Sequence, residues 1–178
     1  MSKYPVVQFV SFVTNLSPDQ FIPEWEPYAK RLQYKKQEPE LLQLVTIPNN
    51  KFRYMSQYKW PDPDFHFSFI HDRKSEHNVR VLQVGGYIPL PAEKRKADKD
   101  DDTKLIAFVS HKETDIDAYR RLPLFHQLDI YQAYYESCAY GYVLEFFVPE
   151  TDADELLRQV QQIPGVEAGI YKECTVTA

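Results

Sequence analysis

The chain has 178 residues, of which 43% are hydrophobic and 15% aromatic, enough to bury the core of one large domain or two small ones and to exclude general disorder. Acidic residues outnumber basic ones, 26 to 21, for a formal net charge of -5, whereas a nucleic-acid footprint needs Lys and Arg gathered on one face. Residues 1–8 lack a cationic segment followed by an apolar run, and no window approaches the roughly 18 apolar residues that span a bilayer. The expectation is a soluble cytoplasmic protein with no nucleic-acid and no membrane partner.

Residues 6–13 are rich in β-branched and aromatic side chains and stop at Thr14-Asn15, which reads as a first strand. Ser17 can cap the helix that follows, with Pro18 at its first position and Gln20 completing a capping box. Phe21, Trp25, Tyr28 and Leu32 form its apolar stripe, and Pro23 and Pro27 predict a kink or restart. Residues 41–47 and 52–60 flank the turn-forming Pro48-Asn49-Asn50-Lys51 and read as a hairpin. Asp62-Pro63 then starts a short helix carrying Phe65 and Phe69, and residues 79–87 form a closing strand. That order, β-α-β-β-α-β, is ferredoxin-like.

Residues 92–102 hold Lys94-Arg95-Lys96 and Lys99-Asp100-Asp101-Asp102 with no large apolar residue, which marks a solvated linker whose aspartates neutralise its basic run. The order of elements then repeats. Residues 105–110 read as a strand, 115–125 as a helix interrupted at Pro123, and 128–136 with 142–148 as a second hairpin. Thr151 and Asp154 cap a helix with Leu156, Leu157, Val160 and Ile163 inward, Pro164-Gly165 stops it, and 166–176 closes the sheet. The segments 52–71 and 141–162 thus read as one supersecondary unit written twice. The predicted fold is α+β, two tandem ferredoxin-like units at 1–91 and 103–178 joined by the linker 92–102, their antiparallel sheets burying each other's bare faces.

The run Phe52-Arg53-Tyr54-Met55-Ser56-Gln57-Tyr58-Lys59-Trp60 followed by Asp62-Pro63-Asp64-Phe65 resembles the third strand, tryptophan and second helix of the dimeric α+β barrel superfamily, especially its antibiotic-biosynthesis-monooxygenase-like group. Asn15-Leu16-Ser17-Pro18-Asp19-Gln20-Phe21 is similar to that group's turn into its first helix. The resemblance implies a barrel holding a small, often aromatic ligand in an apolar pocket, and a homodimer where one chain does not complete the barrel. Its members include cofactor-independent oxygenases, haem degraders, muconolactone-isomerase-like enzymes and proteins without established activity, so fold constrains function poorly. The haem-degrading branch uses a first-strand asparagine with a tryptophan and a histidine around the second helix. Here Asn15 lies beyond the strand, Phe69 stands where the tryptophan should be, and no histidine takes the third position, so the expectation is no cofactor, with haem binding as the minor alternative.

Candidate catalytic residues are His66 and His71, which flank the short helix of the first half, because a histidine near its ordinary pKa of about 6.5 can act as a general base. His126 follows the corresponding Pro123-Leu124-Phe125 in the second half. The bland alternative is that each is an exposed or core-edge histidine. Tyr54, Tyr58, Trp60, Tyr131 and Tyr135 are candidate ligand-binding residues on hairpin strands, the tyrosine hydroxyls able to orient a polar ligand edge if their faces look into the barrel. Packing as a plain aromatic core is the competing reading.

No metal is expected, since no histidine or carboxylate spacing sets two ligands on one face, and Cys138 and Cys174 stand outside any CxxC spacing and read as reduced core thiols. Gly85-Gly86-Tyr87 has no phosphate-binding pattern and marks a bulge or a close backbone approach. No GxSxG element is present. The functional expectation is a small apolar or aromatic ligand-binding α+β barrel, enzymatic as a cofactor-independent oxygenase or isomerase. The alternative is a non-catalytic structural or interaction protein whose barrel is filled solid by aromatic side chains.

Overall fold

The computed structural model describes residues 6–33, 40–44, 52–60, 79–95, 102–111, 113–134 and 136–173. Its strands are β1 (Val6–Thr14), β2 (Glu40–Leu44), β3 (Phe52–Trp60), β4 (Val79–Lys94), β5 (Thr103–Val109), β6 (Gln127–Ala133), β7 (Tyr142–Val148) and β8 (Val166–Glu173). Helix α1 (Pro18–Gln33) follows β1, α2 (Asp117–Arg120) follows β5, and α3 (Ala153–Gln161) follows β7 through a 3-10 turn at Glu150–Asp152.

The strands close into one barrel in the order β1-β3-β2-β8-β5-β7-β6-β4, every pairing among the described residues antiparallel. The first four strands lie as β4-β1-β3-β2 and the last four as β8-β5-β7-β6, the same neighbour order twice. The two groups are joined edge to edge, by β2 on β8 through Leu42↔Glu173 and by β4 on β6 through Tyr87↔Ala133. Sequence patterning suggested sheets meeting through their bare faces. In the barrel the strands instead join edge to edge around a common interior, and no strand edge among the described residues of the closed order is left open.

Strand alternation sorts the core into an inside and an outside. Inside, Val7, Phe9, Met55, Ile106, Phe108, Tyr131, Val143 and Tyr171 make one buried cluster. Outside, Leu105, Ala107, Leu128, Ile130, Leu144 and Phe146 pack under Leu156 and Val160 of α3. At about 1.5–3 kcal/mol for each large apolar side chain removed from water, both layers stabilise the closed barrel substantially.

Helix α1 begins as the capping pattern predicts: the Ser17 amide donates to Gln20 Oε1 at 3.1 Å, and the Phe21 amide donates to the Ser17 carbonyl at 2.8 Å. It then runs through Pro23 and Pro27 as one helix rather than restarting. Phe21 and Trp25, 2% and 3% exposed, fasten it to the outer face of the barrel, and this packing outweighs the cost of roughly 3 kcal/mol that an interior proline carries.

In the second half α2 is a single turn, shorter than the 115–125 expected, because Pro123 stops propagation and Leu124 takes a left-handed φ of 82°. Arg95 holds that turn. Its guanidinium donates to the carbonyls of Leu122 at 2.6 Å and Arg120 at 2.5 Å and stacks 4.0 Å above the Phe125 ring. The cap of α3 is Asp152, without a side-chain cap bond, in place of the Thr151 and Asp154 pattern. Strand β4 continues through Pro91 to Lys94, so the segment separating it from β5 is shorter than 92–102.

Gly85 marks the bulge that was one of the two expectations for the Gly85-Gly86 pair. The pairing of β1 with β4 slips between Phe9 and Val10, where Gly85 and Gln83 are the successive partners, and Gly85 has φ 133°. The predicted helix at 65–71 lies outside the described residues, as does Cys174.

Candidate functional site

The barrel has two ends, fixed by the β5–β7 register that runs from Thr103↔Val148 to Val109↔Tyr142. At the Val109 end the β6–β7 connection folds against the barrel. Tyr140 lies 4.9 Å from the Phe108 ring and donates its hydroxyl to Glu167 Oε2 at 3.1 Å, while its carbonyl accepts the Tyr87 hydroxyl at 2.9 Å. Glu167 in turn pairs with Arg53 of β3 at 3.0 Å. Cys138, a free thiol, donates to the Gly86 carbonyl at 3.2 Å. Burial holds the phenols of Tyr87, Tyr140 and Tyr171 above their usual range, and the Glu167 carboxylate adds to this for Tyr140 and Tyr171. All three stay protonated and able to donate at any physiological pH.

At the Thr103 end a cleft of about 530 Å³ opens between β5, β7, β8 and the start of α3, lined by Asp102, Lys104, Phe147, Ala153, Ile170 and Tyr171 among others. Its size falls within the several hundred cubic ångströms typical of small-molecule sites. Behind it lies a histidine–carboxylate pair. His126 Nδ1 stands 2.9 Å from Asp102 Oδ2, and the two side chains are 19% and 7% exposed. Backbone bonds hold His126 on both sides: its amide donates to the Phe147 carbonyl and its carbonyl accepts the Arg95 amide, each at 2.8 Å. With Nδ1 turned to the carboxylate, the ring is fixed as an Nδ1–H donor.

Polar groups also enter the barrel itself. Gln57 Nε2 donates to the Tyr131 hydroxyl at 3.3 Å. Glu145, 4% exposed, lies directly across from Asp129, whose Oδ1 accepts from Gln127 Nε2 at 2.6 Å. Among the described residues no group of three or more His, Cys, Asp or Glu side chains converges as a metal site.

Of the residues singled out in the sequence, Tyr131 faces the interior, its ring edge-on to Phe9 at 5.2 Å. Tyr54 faces outward. It stacks on Phe21 of α1 at 4.2 Å and donates to the Leu16 carbonyl at 2.9 Å, so the inward residues of β3 are its neighbours Met55 and Gln57. The backbone of Tyr58 pairs with Gln8, and that of Trp60 with Val6. His66, His71 and Tyr135 lie outside the described residues. The Asp102 to His126 pairing was not legible in the sequence, where Asp102 belonged to a charged linker; the only signal was His126 beside Phe125 at the start of a strand.

No protein-family model matches the chain, and no curated protein matches it. Solved structures do. Chlorite dismutase from Candidatus Nitrospira defluvii aligns over 97% of this chain and 93% of its own, with TM-score 0.59 and 8% identity. A Fusobacterium nucleatum protein with a provisional monooxygenase assignment aligns over 98% and 94%, with TM-score 0.53 and 12% identity. An anthrone oxidase-like protein aligns over 97% and 92%, with TM-score 0.54 and 11% identity. At such identities the likeness concerns the fold alone. This chain has a barrel fold of the same kind as these neighbours.

Proposed function

We propose that this protein binds a small apolar or aromatic molecule in its barrel and acts on it as a cofactor-independent monooxygenase- or isomerase-like enzyme of the cytoplasm. The observation that carries this reading is the cleft of about 530 Å³ at the Thr103 end, where Phe147 and Ile170 offer apolar surface beside the Asp102 carboxylate. The monooxygenase and anthrone oxidase-like names of two structural neighbours support the enzymatic part. We also read the two strand groups as tandem ferredoxin-like units, residues 1–91 and 103–178, because each repeats one neighbour order. His66 and His71 are the proposed catalytic bases, with Tyr58, Trp60, Tyr131 and Tyr135 as proposed ligand contacts.

Native mass spectrometry of freshly purified protein tests the reading and reports monomer or homodimer at once. A stoichiometric small-molecule adduct is expected. Turnover of an aromatic substrate that survives conversion of both His66 and His71 to Ala would remove their catalytic role.

One observation favours the rival, non-catalytic reading. Phe9 meets both Tyr87 and Tyr131 edge to face, at 5.5 and 5.2 Å, inside the barrel, as a solid aromatic filling would. That reading predicts no adduct and no affinity for small aromatic probes.

A further inference from the structure

Asp102 is the group in the cleft whose surroundings demand an explanation. A carboxylate that loses water must be compensated by hydrogen bonds or charge, or its burial is costly. The Asp102 side chain is 7% exposed, and its Oδ2 is met by His126 Nδ1 at 2.9 Å. Its other oxygen accepts no hydrogen bond among the described residues, and the residue lines the cleft. An ionised carboxylate offers about four acceptor sites, so one partner leaves most of its capacity directed elsewhere.

We infer that Asp102, positioned by His126, is the polar anchor of this cleft, and that the ligand it takes is a small molecule with an apolar or aromatic body carrying a protonated amine. The inference rests on the ligand-binding reading above and names the chemistry of its ligand. Two features of the lining fit such a ligand. The cleft is lined by four carboxylates, Asp102, Glu150, Asp154 and Glu173, against the two ammonium groups of Lys104 and Lys172. Lys104 Nζ already lies 5.7 Å from the Phe147 ring centroid, which leaves the Asp102 carboxylate rather than that ring face to take the ligand's ammonium. Phe147 and Ile170 give the body of the ligand an apolar wall. The positive N-terminus of α3 opposes a cation, and the acidic residues of its first turn, Asp154 and Glu155, offset that field.

His126 acts through Asp102 rather than on the ligand. Its main chain is bonded to β7 and to Arg95, so the imidazole fixes where the carboxylate points. Removing it frees Asp102 to rotate. Asparagine can place an amide N–H where Nδ1 stands, and so preserves the donor.

The experiment titrates the full chain with benzylamine, benzyl alcohol and benzoate at up to millimolar concentration, following amide NMR shifts. Benzylamine is expected to bind at least tenfold more tightly than benzoate, shifting Thr103, Phe147, Ile170 and Lys172. Asp102→Asn should weaken benzylamine at least tenfold. His126→Ala should weaken it several-fold, and His126→Asn should recover most of that loss, a rescue that a merely structural role would not produce. Benzoate binding as tightly as benzylamine, or benzylamine binding indifferent to Asp102→Asn, overturns the inference and leaves the ligand-binding reading standing. Failure of all three probes overturns both. The comparison of probes needs only the wild-type chain, so it decides even if the Asp102 variant does not fold.

Discussion

The side chain of Cys138 occupies the space above Gly85: a Cβ built on residue 85 would lie 2.6 Å from Cys138 Sγ and 3.0 Å from its Cβ. Gly85 also holds φ 133°, a conformation that L-residues rarely adopt. Two separate constraints therefore exclude any side chain at one point of β4, the point where the β6–β7 connection rests on it. Gly85→Ala should cost about 2–4 kcal/mol in urea denaturation, combining clash and backbone strain. Adding Cys138→Ala should recover less than half, since the Cα at 3.1 Å and the strained φ both remain. Full recovery would mean that the backbone conformation costs nothing.

Tyr140 ties the same connection across the barrel to Glu167 and Arg53. A hydrogen bond to a charged group contributes about 1.5–3 kcal/mol, so Tyr140→Phe should raise the local opening of residues 136–141 by roughly tenfold or more. The readout is the labelling rate of Cys138 by N-ethylmaleimide in a Cys174→Ser background. An unchanged rate would show that the thiol is exposed by some motion the tyrosine does not restrain.

The two tyrosines that sequence alone could not tell apart should separate by readout. Tyr54→Phe loses the bond to the Leu16 carbonyl and should lower stability by about 1 kcal/mol, leaving probe binding unchanged. Tyr131→Phe removes the acceptor of Gln57 inside the barrel and should alter the binding of any ligand that reaches the interior. Paired thermal melts and probe titrations would check both, and a binding defect in Tyr54→Phe would contradict its outward placement.

Tyr119 is fully buried, and its hydroxyl has no hydrogen-bond partner among the described residues. Burial alone pushes its phenol above the usual range. Replacing it by Phe keeps the ring and removes an unmet polar group, which should stabilise the fold by about 1 kcal/mol or more. A loss of stability in chemical denaturation would reveal a bond that the geometry does not show.

Alkaline pH should unfold the protein through Tyr87 and Tyr171, whose phenols burial holds well above their ordinary value. In the unfolded chain both lose their protons near pH 10, while the folded chain keeps them, so the unfolded state binds fewer protons and stability falls as pH rises. Each contributes a slope of about 1.4 kcal/mol per pH unit above pH 10, and below that pH their contribution is constant. Denaturation curves between pH 8 and 11.5 should show the decline, and Tyr87→Phe should flatten it by one such slope. Stability that is flat across this range would place both phenols in water.

Much of the architecture was legible in local signals. The strand positions follow from β-branched and aromatic runs, the start of α1 from Ser17-Pro18-Asp19-Gln20, and the bulge from Gly85-Gly86. These depend on neighbours within a few residues, for which sequence and conformation are tightly linked. Local rules misjudged what packing governs. The prolines of α1 were expected to break it, yet Phe21 and Trp25 hold it on the barrel, and Pro123 with the turn at Leu124 cut α2 to one turn.

The sequence by itself determined which segments are strands and which faces are apolar, because period-two alternation is a property of the chain. Which apolar face lies inside was left to the tertiary structure, since alternation gives two equivalent faces and only the pairing of β2 with β8 and β4 with β6 closes one of them off. The same closure turned Tyr54 outward to Phe21 and Tyr131 inward to Phe9. It also brought Asp102, from a charged stretch, to within 2.9 Å of His126, 24 residues away, a contact that exists only because β7 runs between their two strands.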